Sequence, residues 1–382
     1  MKTGLVLEGG ALRTIFSSGV CDALLDGGVM VDYVIGVSAG IAYGVSYISR
    51  QPRRNLEIVT RYAGDRRYMG MNNLADRHNR SYFGLEFVYD TIPNELVPFD
   101  YQTFAAYPGQ VEAVVTNLNT GEAEYMPVPR EDDKFLLLQA TCALPLMFPI
   151  YHLNGQPYLD GGVADSIPYE RAFQQGCDRV VVVLSKTRSY VRRPEKLQPV
   201  IERTYREYPN FCRAMARRAE QYNTCRERLF QLEREGRVLV LAPVSTHKVS
   251  RIERDTKKLR MLWGDGYQQR WTEWTRSGLS SRRTGRDLVL RSWTAGLEGQ
   301  QSQGVPQHSE EGGHAAPLVH VGLPGQEDGQ QDGRRQKDVG ISGKHMGQKR
   351  PPPAVHSMWT AAGRSLFSQK VGRYSRPSHP RQ

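Results

Sequence analysis

Gly36-Val37-Ser38-Ala39-Gly40 lies where an apolar run, Val31 to Ile35, ends and a helix-like segment, Ile41 to Ser49, begins. Gly-x-Ser-x-Gly between a strand and a helix is a nucleophile elbow. So tight a turn needs neighbours of the serine that are nearly free of side chain, and Gly36, Ala39 and Gly40 meet that need. The turn lifts the Ser38 hydroxyl above a sheet, at a helix N-terminus whose N–H groups favour developing negative charge. The flanking strand and helix separate this reading from that of a Gly/Ser-rich loop.

Working outward, Thr3-Gly4-Leu5-Val6-Leu7 reads as a short buried first strand and runs into Glu8-Gly9-Gly10-Ala11-Leu12-Arg13. Small residues directly after a strand expose backbone N–H groups that can hold an oxyanion, and Arg13 adds a positive charge nearby. A dinucleotide fingerprint also places glycines after a first strand. Its Gly-x-Gly-x-x-Gly spacing is missing here, because position 11 is Ala and position 14 is Thr. Tyr158-Leu159-Asp160-Gly161-Gly162 presents a carboxylate at a tight turn, where a base could reach a serine hydroxyl, although Asp-Gly-Gly by itself is also an ordinary turn.

In this order these elements resemble the patatin-like phospholipase family, of bacterial type. The resemblance rests on an oxyanion loop (Gly9, Gly10, Ala11, with Arg13), an elbow (Gly36, Ser38, Gly40) and the Asp160-Gly161-Gly162 element. Ala143-Leu144-Pro145-Leu146-Met147-Phe148-Pro149 looks like the Ala-x-Pro-x-x-Phe-Pro segment such proteins carry before the catalytic aspartate. The likeness runs from about residue 3 to about residue 269. It implies a three-layer α/β/α fold with a mostly parallel central sheet. It also implies a Ser38–Asp160 dyad without histidine and hydrolysis of lipid acyl esters, of the phospholipase A or lysophospholipase type. No cofactor and no metal are implied. The chain departs from the plant-type loop at Ala11, where a third glycine stands, and at Thr14, where glycine follows the basic residue.

The chemistry has its own logic. A serine hydroxyl needs a neighbouring base. Only His78, His152 and His247 precede residue 270, and His152, near the Asp160 segment, is the candidate for a conventional triad. The usual hydrolase order places histidine after the acid. A carboxylate base instead has to touch Ser38 and be partly desolvated, which raises its basicity. Arg13 reads either as an electrostatic aid to the loop or as its salt-bridged anchor. Lipid acyl transfer, and a catalytically weak lipid-binding protein of the same fold, are the alternative functions.

Strand and helix signals alternate from residue 3 to about 269, which indicates a mostly parallel sheet covered on both faces. Helices are expected at Phe16–Leu25, Asn55–Tyr62, Lys134–Cys142 and Pro168–Gly176, then over Glu202–Arg234 with a break near Pro209, and at Thr256–Gln269 with interruptions at Gly264 and Gly266. Strands are expected at Val111–Val115, Ala123–Val128, Val180–Leu184 and Val238–Ala242. Arg66 to Pro98 is aromatic, Asn-rich and poorly periodic. It reads as a substrate-facing cap or as a plain surface excursion.

Net charge is +11 over 382 residues, which at first suggests nucleic acid. From Arg270 onward there are 17 Lys/Arg against 9 Asp/Glu, leaving the first 269 residues near neutral at +3. No nucleic acid is therefore expected as a partner. Lipid or phospholipid is the expected partner, with peripheral membrane contact. Lys186, Arg188, Arg192, Arg193, Arg213, Arg217 and Arg218 cluster locally. They read either as a face for anionic headgroups or as solvated helix positions with acidic partners.

Five scattered cysteines without Cys-x-x-Cys spacing suggest reduced thiols in a cytoplasmic protein, at most peripheral to the inner membrane face. Glu8 in the first apolar stretch argues against a signal-peptide core. No apolar run approaches spanning length. Residues 1–269 read as the hydrolase domain and 270–382 as a low-complexity basic tail. Gly, Gln, Ser and Pro dominate there, and four of the five tryptophans fall there. That tail reads either as disordered chain or as an out-of-frame product of a GC-rich gene.

Overall fold

The structure is a computed structural model that describes residues 2–276, with side chains through residue 269. The calls on the tail after residue 276 lie outside the described residues. Strand β1 (Thr3–Leu7) leads into helix α1 (Ile15–Asp26), and β2 (Tyr33–Val37) into α2 (Ala39–Ile48). Next come α3 (Arg54–Tyr62), α4 (Met71–Ala75), a π-helical segment Phe87–Leu96 and α5 (Tyr101–Ala105). Strands β3 (Gln110–Asn117) and β4 (Ala123–Pro127) form a hairpin, and α6 (Leu136–Thr141) precedes β5 (Tyr151–Leu153) and β6 (Gln156–Asp160). The rest is α7 (Tyr169–Gln174), β7 (Arg179–Val183), α8 (Gln198–Thr204), α9 (Pro209–Arg234), β8 (Val238–Leu241) and α10 (Thr256–Arg276).

The sheet is mixed, with a parallel centre. Its order is β5-β6-β3-β2-β1-β7-β8, and β4 also pairs with β3. β3, β2, β1, β7 and β8 run parallel, while β4, β5 and β6 add antiparallel pairs at the β3 edge. Successive strand side chains point to opposite faces. Leu5 and Leu7 of β1 join the core that includes Ile15, Phe16 and Ile41 from α1 and α2. Val6, between them, joins Ala172 of α7 and Tyr222 and Leu229 of α9 on the other face. Helices therefore cover both faces, as the alternation of elements indicates.

The helix break near Pro209 is real: Pro209 opens α9, where its missing N–H costs nothing. The interruptions expected at Gly264 and Gly266 are not. α10 runs unbroken through both to Arg276. A Cβ at Gly266 would overlap the carbonyl oxygen of Phe16, and one at Gly19 would overlap that of Trp263. These two glycines let α1 and α10 approach backbone to backbone. Trp263 Nε1 then donates to Asp22 Oδ2 at 2.7 Å, and the Tyr267 hydroxyl to Asp26 Oδ2 at 2.7 Å.

Candidate active site

Ser38 closes β2 and opens α2 with φ 54° and ψ −134°, left-handed backbone that L residues avoid. The surroundings enforce it. A Cβ at Gly40 would overlap the carbonyl oxygen of Leu7, and one at Gly36 would stand 2.7 Å from the Ile41 nitrogen. Ser38 N–H donates to Thr141 Oγ1 at 2.9 Å, and that hydroxyl donates to the Val114 carbonyl. Strain of this kind persists only where neighbours over-determine it.

Register brings the acid to the serine. Val37 lies beside Val114, and Val115 beside Asp160, so Asp160 is one strand beyond β3 from the elbow. Its backbone is pinned by Asp160 N–H to Ala143 O at 2.9 Å, and by Thr116 Oγ1 donating to Asp160 O at 2.9 Å. The Ala143–Pro149 segment thus seats the aspartate directly. Asp160 Oδ1 accepts the Gly162 N–H at 2.8 Å. Oδ2 is buried and takes no hydrogen bond from any described group. Burial pushes the carboxyl above its ordinary range, opposed by the Arg218 charge, the nearby Ser38 hydroxyl, the Gly162 N–H and Arg251.

The loop after β1 stands against the elbow. A Cβ at Gly9 would lie 2.8 Å from Val37 O and 2.9 Å from Ser38 Cβ; one at Gly10 would lie 2.6 Å from Ser185 Oγ. Among the described residues no acceptor takes the amides of Gly9, Gly10 or Ala11. Ala11 sits at φ 50°, a conformation glycine adopts without strain. Arg13 makes no ion pair within the described residues. Its Nε–H donates to the Val249 carbonyl at 2.8 Å, so the loop is anchored by backbone rather than by a salt bridge.

Two chambers meet at Ser38. One is apolar, walled by Tyr43, Phe83, Val88, Ile92, Phe135 and Phe148. The other is polar, with Gly9, Gly10, Asp160 and a set of basic side chains. Ser38, Ala11 and Leu144 line both.

The sequence model described as "Patatin-like phospholipase" matches residues 5–173. Residues 5–173 belong to the patatin-like phospholipase family. A second model, "Domain of unknown function (DUF6363)", matches residues 208–278. Among curated relatives, the uncharacterised protein YjjU of Escherichia coli is 27% identical over 248 residues, 55% of this chain and 64% of YjjU. Lysophospholipase nte1 of Aspergillus niger is 26% identical over 193 residues, 48% of this chain and 12% of that protein. The chain thus spans less than two thirds of the length of either. VipD from Legionella pneumophila aligns in structure at TM-score 0.34 and 14% identity, over 71% of this chain and 66% of that one.

In the patatin-like domain, Gly9, Gly10, Ala11, Arg13, Ser38 and Asp160 all line the one polar chamber, and Gly36 and Gly40 shape the elbow behind it. His152 does not join them: it is exposed on β5, and His78 is exposed too. His247 faces Asp265 at 2.6 Å. None of the three lines either chamber. The Arg66–Pro98 stretch supplies Tyr68, Phe83 and the π-helical wall of the apolar chamber, which favours its reading as a cap over its reading as a surface excursion.

Several positioning groups carry no local sequence signal. Thr141 holds the Ser38 amide. Ser185 Oγ donates to Gly9 O at 2.8 Å. Buried Glu8 accepts from Ser185 N–H and the Tyr222 hydroxyl, both at 2.6 Å. Cys142 lies beside Ser38 on the apolar wall, where burial pushes its thiol up to about 12 and keeps it protonated.

Proposed function

We propose that the chain is a serine hydrolase of lipid acyl esters, of the phospholipase A or lysophospholipase type, working through Ser38 and Asp160. The observation that carries this reading is the buried, unpartnered Oδ2 of Asp160 beside a serine held in a strained elbow. Ser38 Oγ attacks the ester carbonyl while Asp160 takes its proton. Backbone N–H groups of Gly9, Gly10 and Ala11 receive the oxyanion, and Arg13 contributes positive charge beside them. Collapse expels the alcohol, which takes the proton from Asp160, and leaves an acyl-Ser38. Water then attacks with Asp160 again as base, releasing the fatty acid and restoring the serine. A carboxylate is a weak base in water; burial that raises its pKa makes it a better one. The apolar chamber suits the acyl chain. No bound cofactor or metal takes part in these steps.

The patatin-like phospholipase match over residues 5–173 and the similarity to lysophospholipase nte1 support lipid hydrolysis as the class. Among the described residues no helix is long and apolar enough to cross a membrane, and the reading needs only peripheral contact with a lipid surface, on its cytoplasmic side. The test is labelling with a fluorophosphonate probe, with fatty-acid release measured in parallel. Wild type should label at Ser38 and release fatty acid; Ser38→Ala should do neither while keeping its circular dichroism. Labelling that persists at another serine would refute the assignment.

A further inference from the structure

The polar chamber holds an unusual excess of positive charge. Arg13, Lys186, Arg192, Arg218, Lys248 and Arg251 line it, and Asp160 is the one carboxylate among its lining residues. None of the six cations closes an ion pair with a described carboxylate, whereas Arg53, Arg171 and Arg188 do so at 2.5, 2.8 and 2.6 Å. Glu8 lies nearby, but both of its oxygens are engaged by Ser185 and Tyr222.

The cations are held in place rather than left to solvent. The Arg192 guanidinium lies 4.3 Å over the Tyr222 ring, and its Nε is buried without a partner. Arg218 spends its Nε–H on the Gly162 carbonyl at 2.6 Å. Lys186 Nζ reaches only Ser185 Oγ, at 3.3 Å, and lies over the Tyr190 ring. Burial, together with the neighbouring Arg13, Arg251 and Arg192, pushes Lys186 down to about 7 against the pull of Glu8. Fixing like charges around a half-enclosed space is unfavourable unless an anion enters it. Two guanidinium forks and an ammonium match the several oxygens of a phosphate group.

Connectivity says which phosphate. Ser38, Ala11 and Leu144 belong to both chambers. An ester whose carbonyl sits at Ser38 with its acyl chain in the apolar chamber must send its alcohol portion into the basic one. We propose that the basic chamber is a phosphate site for the lipid headgroup, and that it makes the enzyme select phosphate-bearing acyl lipids over neutral ones with the same chain. This rests on the reading of Ser38 as the acyl-accepting nucleophile.

The test compares kcat/KM of the full chain for monooleoyl lysophosphatidate and monooleoylglycerol in neutral detergent micelles. The phosphate lipid should be preferred in wild type. The preference should fall about 10- to 100-fold in Arg192→Gln and in Lys186→Gln, the size of one charge-assisted hydrogen bond. Inorganic phosphate should raise the wild-type Tm and protect Ser38 from the fluorophosphonate, and do both less in Arg192→Gln.

Equal or better use of the neutral lipid by wild type overturns the proposal while leaving the hydrolase standing. So does an unchanged preference in both variants. Protection by inorganic phosphate without any lipid preference means the chamber takes free phosphate, which overturns the headgroup assignment. If neither lipid is cleaved and Ser38 does not label, the hydrolase reading fails. The Tm shift then still decides whether the chamber binds phosphate.

Discussion

Arg218 Nε donates to the carbonyl oxygen of Gly162 at 2.6 Å, and this bond ties helix α9 to the turn that carries the Asp160 carboxylate. One helical turn later the Tyr222 hydroxyl reaches Glu8 at 2.6 Å, at the start of the glycine loop. α9 lies outside residues 5–173 and inside the second matched segment, 208–278. The two matched segments therefore build one site: the first supplies Ser38, Asp160 and the loop, and the second buttresses both sides.

Arg218→Met should show what that buttress does. It removes the donor to Gly162 O and the positive charge that most opposes the upward shift of Asp160. Turnover of a neutral acyl ester should fall about 10²-fold, the cost of misplacing a catalytic group by about an ångström. The acid limb of its pH profile should also move to higher pH. A purely structural role would lower the rate without moving the limb, so the profile decides between the two.

Asp160→Asn should lower turnover by about 10²–10⁴, the contribution of a general base. In wild type the base must be ionised. Its pKa lies above the ordinary carboxylate value of about 3.9, so activity should rise as pH climbs through that raised value. The variant should lack this limb. Stability runs the other way. A carboxyl whose folded pKa is raised binds more protons folded than unfolded, so its contribution is present below the unfolded pKa and is lost as pH rises through the folded one. Asp160→Asn should accordingly melt higher than wild type at neutral pH, and an equal or lower Tm there would contradict the buried, unpartnered state of Oδ2.

The five parallel strands and β4, the elbow and the order of the site motifs were legible because each is largely local, whereas the short antiparallel β5 and β6 were not read as strands. Thr3–Leu7 and Val180–Val183 are apolar runs of strand length, and Gly36 must be small because of Ile41, five residues on across the same turn. What escaped is what depends on distant partners. Gly266 reads as a helix breaker until Phe16, on another helix, is found against it. The π-helical Phe87–Leu96, with Pro93 inside, follows no 3.6-residue pattern. In the sequence, Lys186, Arg192 and Arg218 read more readily as a solvated face with acidic partners than as a face for headgroups. Only the fold shows them turned inward with Arg13 and Arg251, residues far away in sequence.

Gly10→Val should abolish most turnover while leaving the sheet intact. The new Cβ would stand 2.6 Å from Ser185 Oγ and 3.2 Å from Thr14 Oγ1. Ser185 cannot swing away freely, because its hydroxyl also holds Gly9 O. Displacing it shifts the amides proposed to receive the oxyanion, and losing one such donor costs about 10²–10³ in kcat. Steady-state kinetics with unchanged circular dichroism would show this. A variant that turns over near the wild-type rate would place the oxyanion donors elsewhere.

Truncation should depend sharply on where α10 is cut. The sequence suggests a domain ending at residue 269, but the helix continues to Arg276 and the second matched segment to residue 278. A chain ending at residue 278 should keep most of its turnover, because every site residue and the whole of α10 precede that point. A chain ending at Asp255 should not. It loses Leu259 and Leu262, both fully buried, each worth about 1.5–3 kcal/mol on burial. It also strips the Trp263 donor from Asp22, a carboxyl that burial already pushes up to about 6. The apolar side of α1 that α10 covers would then face water, and this chain should aggregate or melt well below the longer one. Thermal melts of the two truncations beside the full chain, with fatty-acid release measured on each, test this. An Asp255 chain as stable as the full protein would mean that α10 is dispensable, and an inactive but folded 278-residue chain would assign the remaining residues a part in the site.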